Sequence, residues 1–417
     1  MKPFSGSKLV IITTAKENKI YKERKEFAKK SVSSGTRDEI IFLVKSNFSE
    51  DLSGLSDIGI LKRRALEVID KCKNTIDVLG DSHKDGVMIV NYPSTFGKMA
   101  HQLNYCLRLL IDRGLWNDEL LGIYNADSHP DRETFFWLSA KSAGSGLVFQ
   151  QYGNYFGNID SILKRGFISK ALLFSSSVWQ NRWSMGFEIF NSLKQFLFSG
   201  KIILLEKFFY PLNYCIGHGL FFTRDIFEKH NFFEETYNED AILGLELSYE
   251  KKMIIPLPFF DVSDVPNSTK SLFFQKVGWF FGPFQAPLYY KKLKVKIPGV
   301  DKVRLFLLSG KLFSHTIFWL VGPTFLFLLF LNALFTLDFV PFLLCYFSFL
   351  VLPSFLVYIL FPNKKIKAGR ALFFIFIGSF FAYIMHGASA YYSIFLTAKA
   401  MFTNKEIEKY KTKILRG

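Results

Sequence analysis

Four short stretches hold side chains whose types and spacing suit chemistry. In GIYNADSHPD at 122–131, an apolar strand runs into an acidic, histidine-containing turn. A carboxylate at a strand end, here Asp127, suits a hard divalent ion, Mg2+ or Mn2+, beside bound phosphates. It suits equally a turn that satisfies backbone donors ahead of a helix starting near Pro130. In YNEDAILGLEL at 237–247, Glu239 and Asp240 open a helix. Acids in a first turn ordinarily complement the macrodipole, and an Asp held there also suits a general base for an incoming hydroxyl. In CIGHGLFFTRDIFEKHNFF at 215–233, Gly217 and Gly219 flank His218 and allow close backbone approach to a ligand. His218 is then either a ligand contact or a satisfied loop residue. In DVPNSTKSLFFQKVGWFFGPF at 264–284, Gln275 and Trp279 share a helical face at i, i+4. Such a stripe anchors a helix at a membrane interface or walls a sugar site with its apolar ring.

Elements must hold these residues in place. Leu9–Thr13, Glu39–Val44, Val87–Asn91 and Leu120–Tyr124 read as strands, three of them nearly continuous apolar runs. Runs of that kind belong to strands buried on both faces of a parallel sheet. Helical text such as Lys62–Cys72 and Lys98–Ile111 lies between them. The order βαβα predicts an α/β fold with a doubly wound, mainly parallel sheet. Ligands bind such sheets beyond the carboxyl ends of the strands, where Asn125 and Asp127 fall. From about residue 160 to 265 the text turns to less regular, aromatic-rich helices and loops.

The C-terminal part has a different solvent. Phe313–Phe335, Phe339–Phe361 and Ala371–Ala398 carry no formal charge. Each exceeds the roughly 20 apolar residues that cross a bilayer core as helix. Lys364, Lys365, Lys367 and Arg370 follow the second run and predict a cytoplasmic loop. Three spans would then place the basic tail outside, unless the last run is broken near Gly378 or Gly387. Much of the excess behind the net charge of +16 lies beside the first span, where Lys291, Lys292, Lys294, Lys296, Lys302, Arg304 and Lys311 face only Asp301. Anionic headgroups are the expected partner, at about 1 kcal/mol per basic residue, and nucleic acid is not. The N-terminus lacks a signal-peptide pattern, and the four cysteines show no metal spacing, which predicts buried free thiols in a reducing compartment. The expected organisation is a cytoplasmic domain over 1–265, a basic aromatic connector over 266–311, a membrane domain over 312–398 and a basic tail over 399–417.

Taken in order, the four stretches resemble the membrane-bound family 2 glycosyltransferases and their GT-A nucleotide-sugar domain, over roughly residues 8–285. VIITTAKEN resembles that family's first strand and acid-bearing loop, with Glu17 as the nucleotide contact. GKMAHQLNYCL at 97–107 is similar to its Gly-Lys-Ala-x-x-Leu-Asn segment, with Lys98 and Asn104 at the nucleotide. IYNADS stands where the family has Asp-x-Asp, with Asp127 as metal ligand and Asn125 replacing the first Asp. GHGLFFTRDIF and NEDAILG correspond to the segment ending in the catalytic acid pair, Glu239 and Asp240, with Asp240 as base. QKVGW stands where processive members carry QxxRW, with Gly278 in place of the Arg. The family's paired acids after the second strand are absent from LVKSNFSED; Glu50 or Asp51 are the displaced candidates.

The resemblance implies an inverting transferase that moves a sugar from a nucleotide-sugar donor, a UDP-sugar, to a lipid-linked or polysaccharide acceptor. Gly217, His218, Gly219, Gln275 and Trp279 would line the donor and acceptor ends. It further implies a multi-pass protein of the cell membrane, with its catalytic domain in the cytoplasm. Two other classes stand beside this one. The Asn125 and Gly278 departures suit a catalytically degenerate nucleotide-sugar sensor or partner subunit. A transport unit ranks third, because the apolar runs hold almost nothing ionisable beyond His315 and His386.

Overall fold

The computed structural model describes residues 9–15, 39–45, 87–92, 99–112, 116, 120–125, 129–130, 134, 137–138, 145–198, 211–213, 215–230, 233–236, 238–297 and 299–403. In chain order the strands are β1 (Leu9–Ala15), β2 (Glu39–Lys45), β3 (Val87–Tyr92), β4 (Leu120–Asn125), β5 (His129–Pro130), β6 (Val148–Asn154), β7 (Leu220–Phe222) and β8 (Ile255–Val262). The helices are α1 (Met99–Asp112), α2 (Ile159–Leu163), α3 (Phe167–Trp183), α4 (Ile189–Phe198), α5 (Arg224–Lys229), α6 (Glu239–Tyr249), α7 (Thr269–Phe284), α8 (Ala286–Lys296), α9 (Lys302–Thr336), α10 (Val340–Tyr346), α11 (Leu352–Leu360) and α12 (Ala368–Thr403). Packing groups them into two units, each discontinuous in sequence. The first comprises Met1–Tyr152, Cys215–Leu243 and Lys252–Asp261, and the second Gly153–Tyr214, Gly244–Lys251 and Val262–Gly417. The described part of residues 153–214 thus groups with the apolar C-terminal helices, and its start lies close to where the text turns aromatic-rich.

In the first unit the four expected runs form β1 to β4. They pair in parallel in the order β3-β2-β1-β4. The chain adds β2 and β3 on one side of β1 and then returns to add β4 on the other. In open α/β sheets a reversal of this kind is where ligands bind, beyond the carboxyl ends of the strands on either side of it. The expected mainly parallel sheet needs one correction. β7 lies antiparallel between β4 and β6, so the sheet is mixed. Leu120, Tyr124, Leu138, Phe149, Phe221 and Leu257 form a buried cluster around this junction. α1 fills the place of the expected helix at Lys98–Ile111, and it buries Leu103, Leu107 and Leu110, the i, i+4, i+7 spacing of one helical face. The expected helix at Lys62–Cys72 lies outside the described residues, and at His129–Pro130 the chain forms the short β5.

The second unit is helical. Asp301 caps α9, accepting from the backbone N–H groups of Val303 and Arg304 at 3.1 Å each. α9, the stretch Val340–Leu360 and α12 are each long and apolar enough to cross a membrane. Only 17% of the most apolar window of α9 is buried, so the described residues leave most of its apolar surface uncovered. α12 runs unbroken through Gly378 and Gly387, correcting the idea of a break at either. Gly378 instead serves close approach. A methyl group there would stand 2.0 Å from the Ala171 carbonyl oxygen of α3, and Ser175 Oγ donates to the Phe374 carbonyl at 2.9 Å. Small residues that let backbones meet are a regular device of membrane helix packing.

Candidate active site

The carboxyl ends of β1 and β4, on either side of the reversal, lead into chain segments that the sequence singles out. Thr14 of β1 and Asn125 of β4 are register partners. Glu17 follows the end of β1 by two residues, and Asp127 follows the end of β4 by two. Glu17, Lys98 and Asp127 themselves lie outside the described residues, as do Glu50 and Asp51, and of Asn125 only the strand backbone is described. Asn104 is buried on α1. Its carboxamide donates to the Phe233 carbonyl at 2.8 Å and accepts from the Phe233 N–H at 2.9 Å, stapling α1 to that segment.

The Gly217–Gly219 loop is held on several sides. Gly219 has φ +66, and a Cβ there would meet the Gln151 carbonyl oxygen at 2.5 Å. The loop has the sheet on both sides of it: Gly219 N–H donates to the Ile123 carbonyl of β4 at 2.7 Å, and Gln151 N–H of β6 donates to the Gly219 carbonyl at 2.6 Å. Glycine is needed here on both steric and conformational grounds. The fully buried Gln150 side chain clamps the loop from below. Its Nε2 donates to the His218 carbonyl at 2.8 Å, and its Oε1 accepts from Ile216 N–H at 3.0 Å. The His218 ring is turned inward, with Nδ1 3.1 Å from Asp261 Oδ2, both side chains buried. With Asp261 ionised, the carboxylate can only accept, so Nδ1 carries the proton. Tyr124 Oη donates to Gln151 Oε1, and Gln151 Nε2 donates to Thr134 Oγ1 at 2.8 Å. Burial, and then the charge of Asp261, push the Tyr124 phenol well above its usual range.

Asp240 meets this loop from the start of α6. Its Oδ1 accepts from the Ala241 N–H at 2.8 Å, as a first-turn acid does. Its Oδ2 faces Gly217, where a methyl group would stand only 3.2 Å away. Two stretches distant in sequence, Gly-His-Gly and Asn-Glu-Asp, therefore meet with no side chain between them. Glu239, the other acid of the pair, is buried. Cys215, two residues before Gly217, has its thiol pushed up by burial and then by the Asp240 charge. Asp240 is half-buried and adjoins backbone that a polar ligand can approach closely, an arrangement suited to taking a proton from a bound hydroxyl.

Among the described residues no group of three His, Cys, Asp or Glu side chains is placed to hold a metal ion. A hard ion could take one carboxylate, Asp127, and complete its shell with ligand and water oxygens. Gln275 and Trp279 lie on α7, in the second unit. Trp279 is 38% exposed, and Lys276 Nζ stands 4.4 Å from its ring centroid. Sequence reasoning passed over Gln150, Gln151 and Asp261. Two adjacent glutamines inside the strand VFQQY were the available signal, because buried polar side chains are there to be hydrogen-bonded.

No family model and no curated protein sequence matches the chain. Among solved structures, mannosyltransferase PcManGT from Pyrobaculum calidifontis, in complex with GDP-Man and Mn2+, is 14% identical with a TM-score of 0.46, covering 97% of this chain and 89% of that one. S. aureus TarS 1-349, in complex with UDP-GlcNAc, is 12% identical with a TM-score of 0.38, covering 98% of this chain and 95% of that one. At such identities and scores the likeness transfers no chemistry, and the chain's own residues must carry the function.

Proposed function

We propose that the chain is an inverting, membrane-bound glycosyltransferase of the family 2 type. It moves a sugar from a nucleotide-sugar donor, a UDP-sugar, to a lipid-linked or polysaccharide acceptor in cell-surface glycan synthesis, with its catalytic part on the cytoplasmic face. The observation that supports this most is the apposition of Asp240 Oδ2 and Gly217. It unites the two stretches that the resemblance assigns to the transfer site, beside the sheet edge assigned to the nucleotide.

In this mechanism Asp240 accepts the proton of the acceptor hydroxyl. The hydroxyl oxygen bonds to the anomeric carbon from the face opposite the nucleotide, and the bond to the diphosphate breaks with its electron pair. Inversion follows from that single displacement. Glu17, Lys98, Asn104 and Asn125 border the nucleotide, with Asn104 acting through the segment it staples. Asp127 would hold Mg2+ or Mn2+, whose chemistry there is Lewis-acid stabilisation of the departing diphosphate. The Gly217–Gly219 loop, set by Gln150 and Asp261, keeps backbone rather than side chain against the reacting centre.

The test is a screen of nucleotide sugars for diphosphate release by the full-length protein in membranes, with and without Mg2+ or Mn2+, followed by mass analysis of the product. Asp240→Asn should lower transfer by about 10²–10⁴-fold, the usual contribution of a general base, while donor binding by calorimetry stays within twofold. Full turnover by that variant would remove Asp240 from the role.

A further inference from the structure

Lys276 is 3% exposed on α7, and it packs where α7 meets α9 and α12. Beside it, the Val277 carbonyl accepts from Ser393 Oγ of α12 at 3.1 Å, and the Phe280 ring stands edge-on to Trp319 of α9 at 5.7 Å. No carboxylate pairs with Lys276 among the described residues, and its ammonium has a π face, that of Trp279, as its neighbour. The buried His386 of α12 is its electrostatic neighbour. Trp319 stacks on that imidazole at 4.0 Å and donates its indole N–H to the His386 carbonyl. Among the described residues His386 Nδ1 finds no hydrogen-bond partner, nor does Gln275 Oε1, one residue from Lys276.

A buried ammonium without a counter-charge is strongly disfavoured, and a cation–π contact offsets only part of the cost. Burial alone pushes the Lys276 amine down to about 7. An ionisable group packed among membrane helices ordinarily marks a ligand or ion path, with a counter-ion to be identified. Here the described residues supply none, which points to an incoming anion as the partner. The neighbouring groups narrow its class. Gln275 and Trp279 share one helical face, offering an acceptor for a hydroxyl and an apolar wall for a sugar ring. Trp279, exposed above the ammonium, marks the way in.

We propose that Lys276 receives the phosphate of a sugar-phosphate lipid, with Gln275 Oε1 accepting from a sugar hydroxyl and Trp279 covering the ring. This rests on the transferase reading above and names its acceptor class. Phosphate borne by a lipid and phosphate free in solution share the chemistry, and their sources are separable by experiment.

Full-length protein in nanodiscs of neutral lipid would be heated with dodecyl phosphate, with inorganic phosphate or with neutral dodecyl maltoside. Dodecyl phosphate should raise Tm by a few degrees, through preferential binding to the folded state, and the other two should not. Lys276→Met should abolish that rise, and without ligand it should melt no lower than the wild type, because it removes an uncompensated charge. Lys276→Arg should retain part of the rise. An equal response to dodecyl maltoside, or an undiminished one in Lys276→Met, would overturn the site. An equal response to inorganic phosphate would overturn its lipid-borne ligand. A Lys276→Met protein that melts well below the wild type without ligand would show that the ammonium is already paired. None of these readouts requires sugar transfer, so a failed site with Asp240-dependent transfer intact would leave the transferase reading standing.

Discussion

Asp240 sits opposite Gly217 because two local requirements coincide. A first-turn acid is favoured by the dipole of α6, and a glycine lets its carboxylate come within 3.2 Å of where a methyl group would stand. Neighbouring Gly219 is bound more tightly still, by a positive φ and by a carbonyl 2.5 Å from the position of any Cβ. Gly219→Ala should therefore destabilise the protein by about 2–3 kcal/mol, from strain at that backbone angle and the clash together, read as a lowered Tm. An unchanged Tm would mean that the loop has room to shift. The buried thiols make a second prediction at this scale. Cys106 is pushed by burial from 9.0 to about 12, so the folded chain keeps a proton that the unfolded chain loses above pH 9. Stability should fall as pH rises through that interval. Cys106 and Cys215 should also resist iodoacetamide at pH 8.5 until the protein is unfolded, as peptide mass mapping would show.

The elements differ in how openly the sequence declares them. β1 to β4 are apolar runs bounded by polar text, and the expected ranges match the observed ones to within two residues. β8, IPLPFFDV, carries two prolines, which argue against a strand in any local reading. β7 is three residues long and is a strand only because β4 and β6 flank it. The pairing of α3 with α12 is likewise tertiary. Its serines and Gly378 carry no helix signal, and their use appears only where the backbones meet. Gly378→Ala should destabilise the second unit by about 1–3 kcal/mol, the usual cost of overpacking, in thermal unfolding of the detergent-purified protein. Gly310→Ala on α9, where a Cβ would meet nothing within 4 Å, should be neutral or slightly stabilising. Equal effects at the two sites would contradict the close approach.

For the molecule as a whole, charge and apolar length set the environment. The basic connector becomes α7, α8 and the first turns of α9, and not all of its charge faces outward. Lys296 Nζ pairs with the buried Glu246 of α6 at 2.7 Å, and Arg304 donates to the Ser248 carbonyl at 3.0 Å. Lys291, Lys294 and Lys302 are exposed and remain suited to anionic headgroups. Carbonate washing at high pH strips charge-bound proteins from membranes but leaves those held by apolar helices. The full-length chain should stay in the membrane pellet, and its release into the supernatant would show attachment by surface charge alone.

The sequence by itself determined the four parallel strands β1 to β4, α1, the apolar segments and the stretches where chemistry would sit. Each depends on the period of its own hydrophobic pattern or on the conformational range of a glycine. Tertiary structure alone decided that β7 runs antiparallel and that residues 153–214 pack with the membrane-type helices. It also decided that Gln150 and Asp261 set the Gly-His-Gly loop and that Lys276 is buried with no carboxylate partner among the described residues. Those outcomes depend on which distant segments become neighbours, and burial converts an ordinary glutamine, aspartate or lysine into a group whose hydrogen bonds and charge must be answered in space.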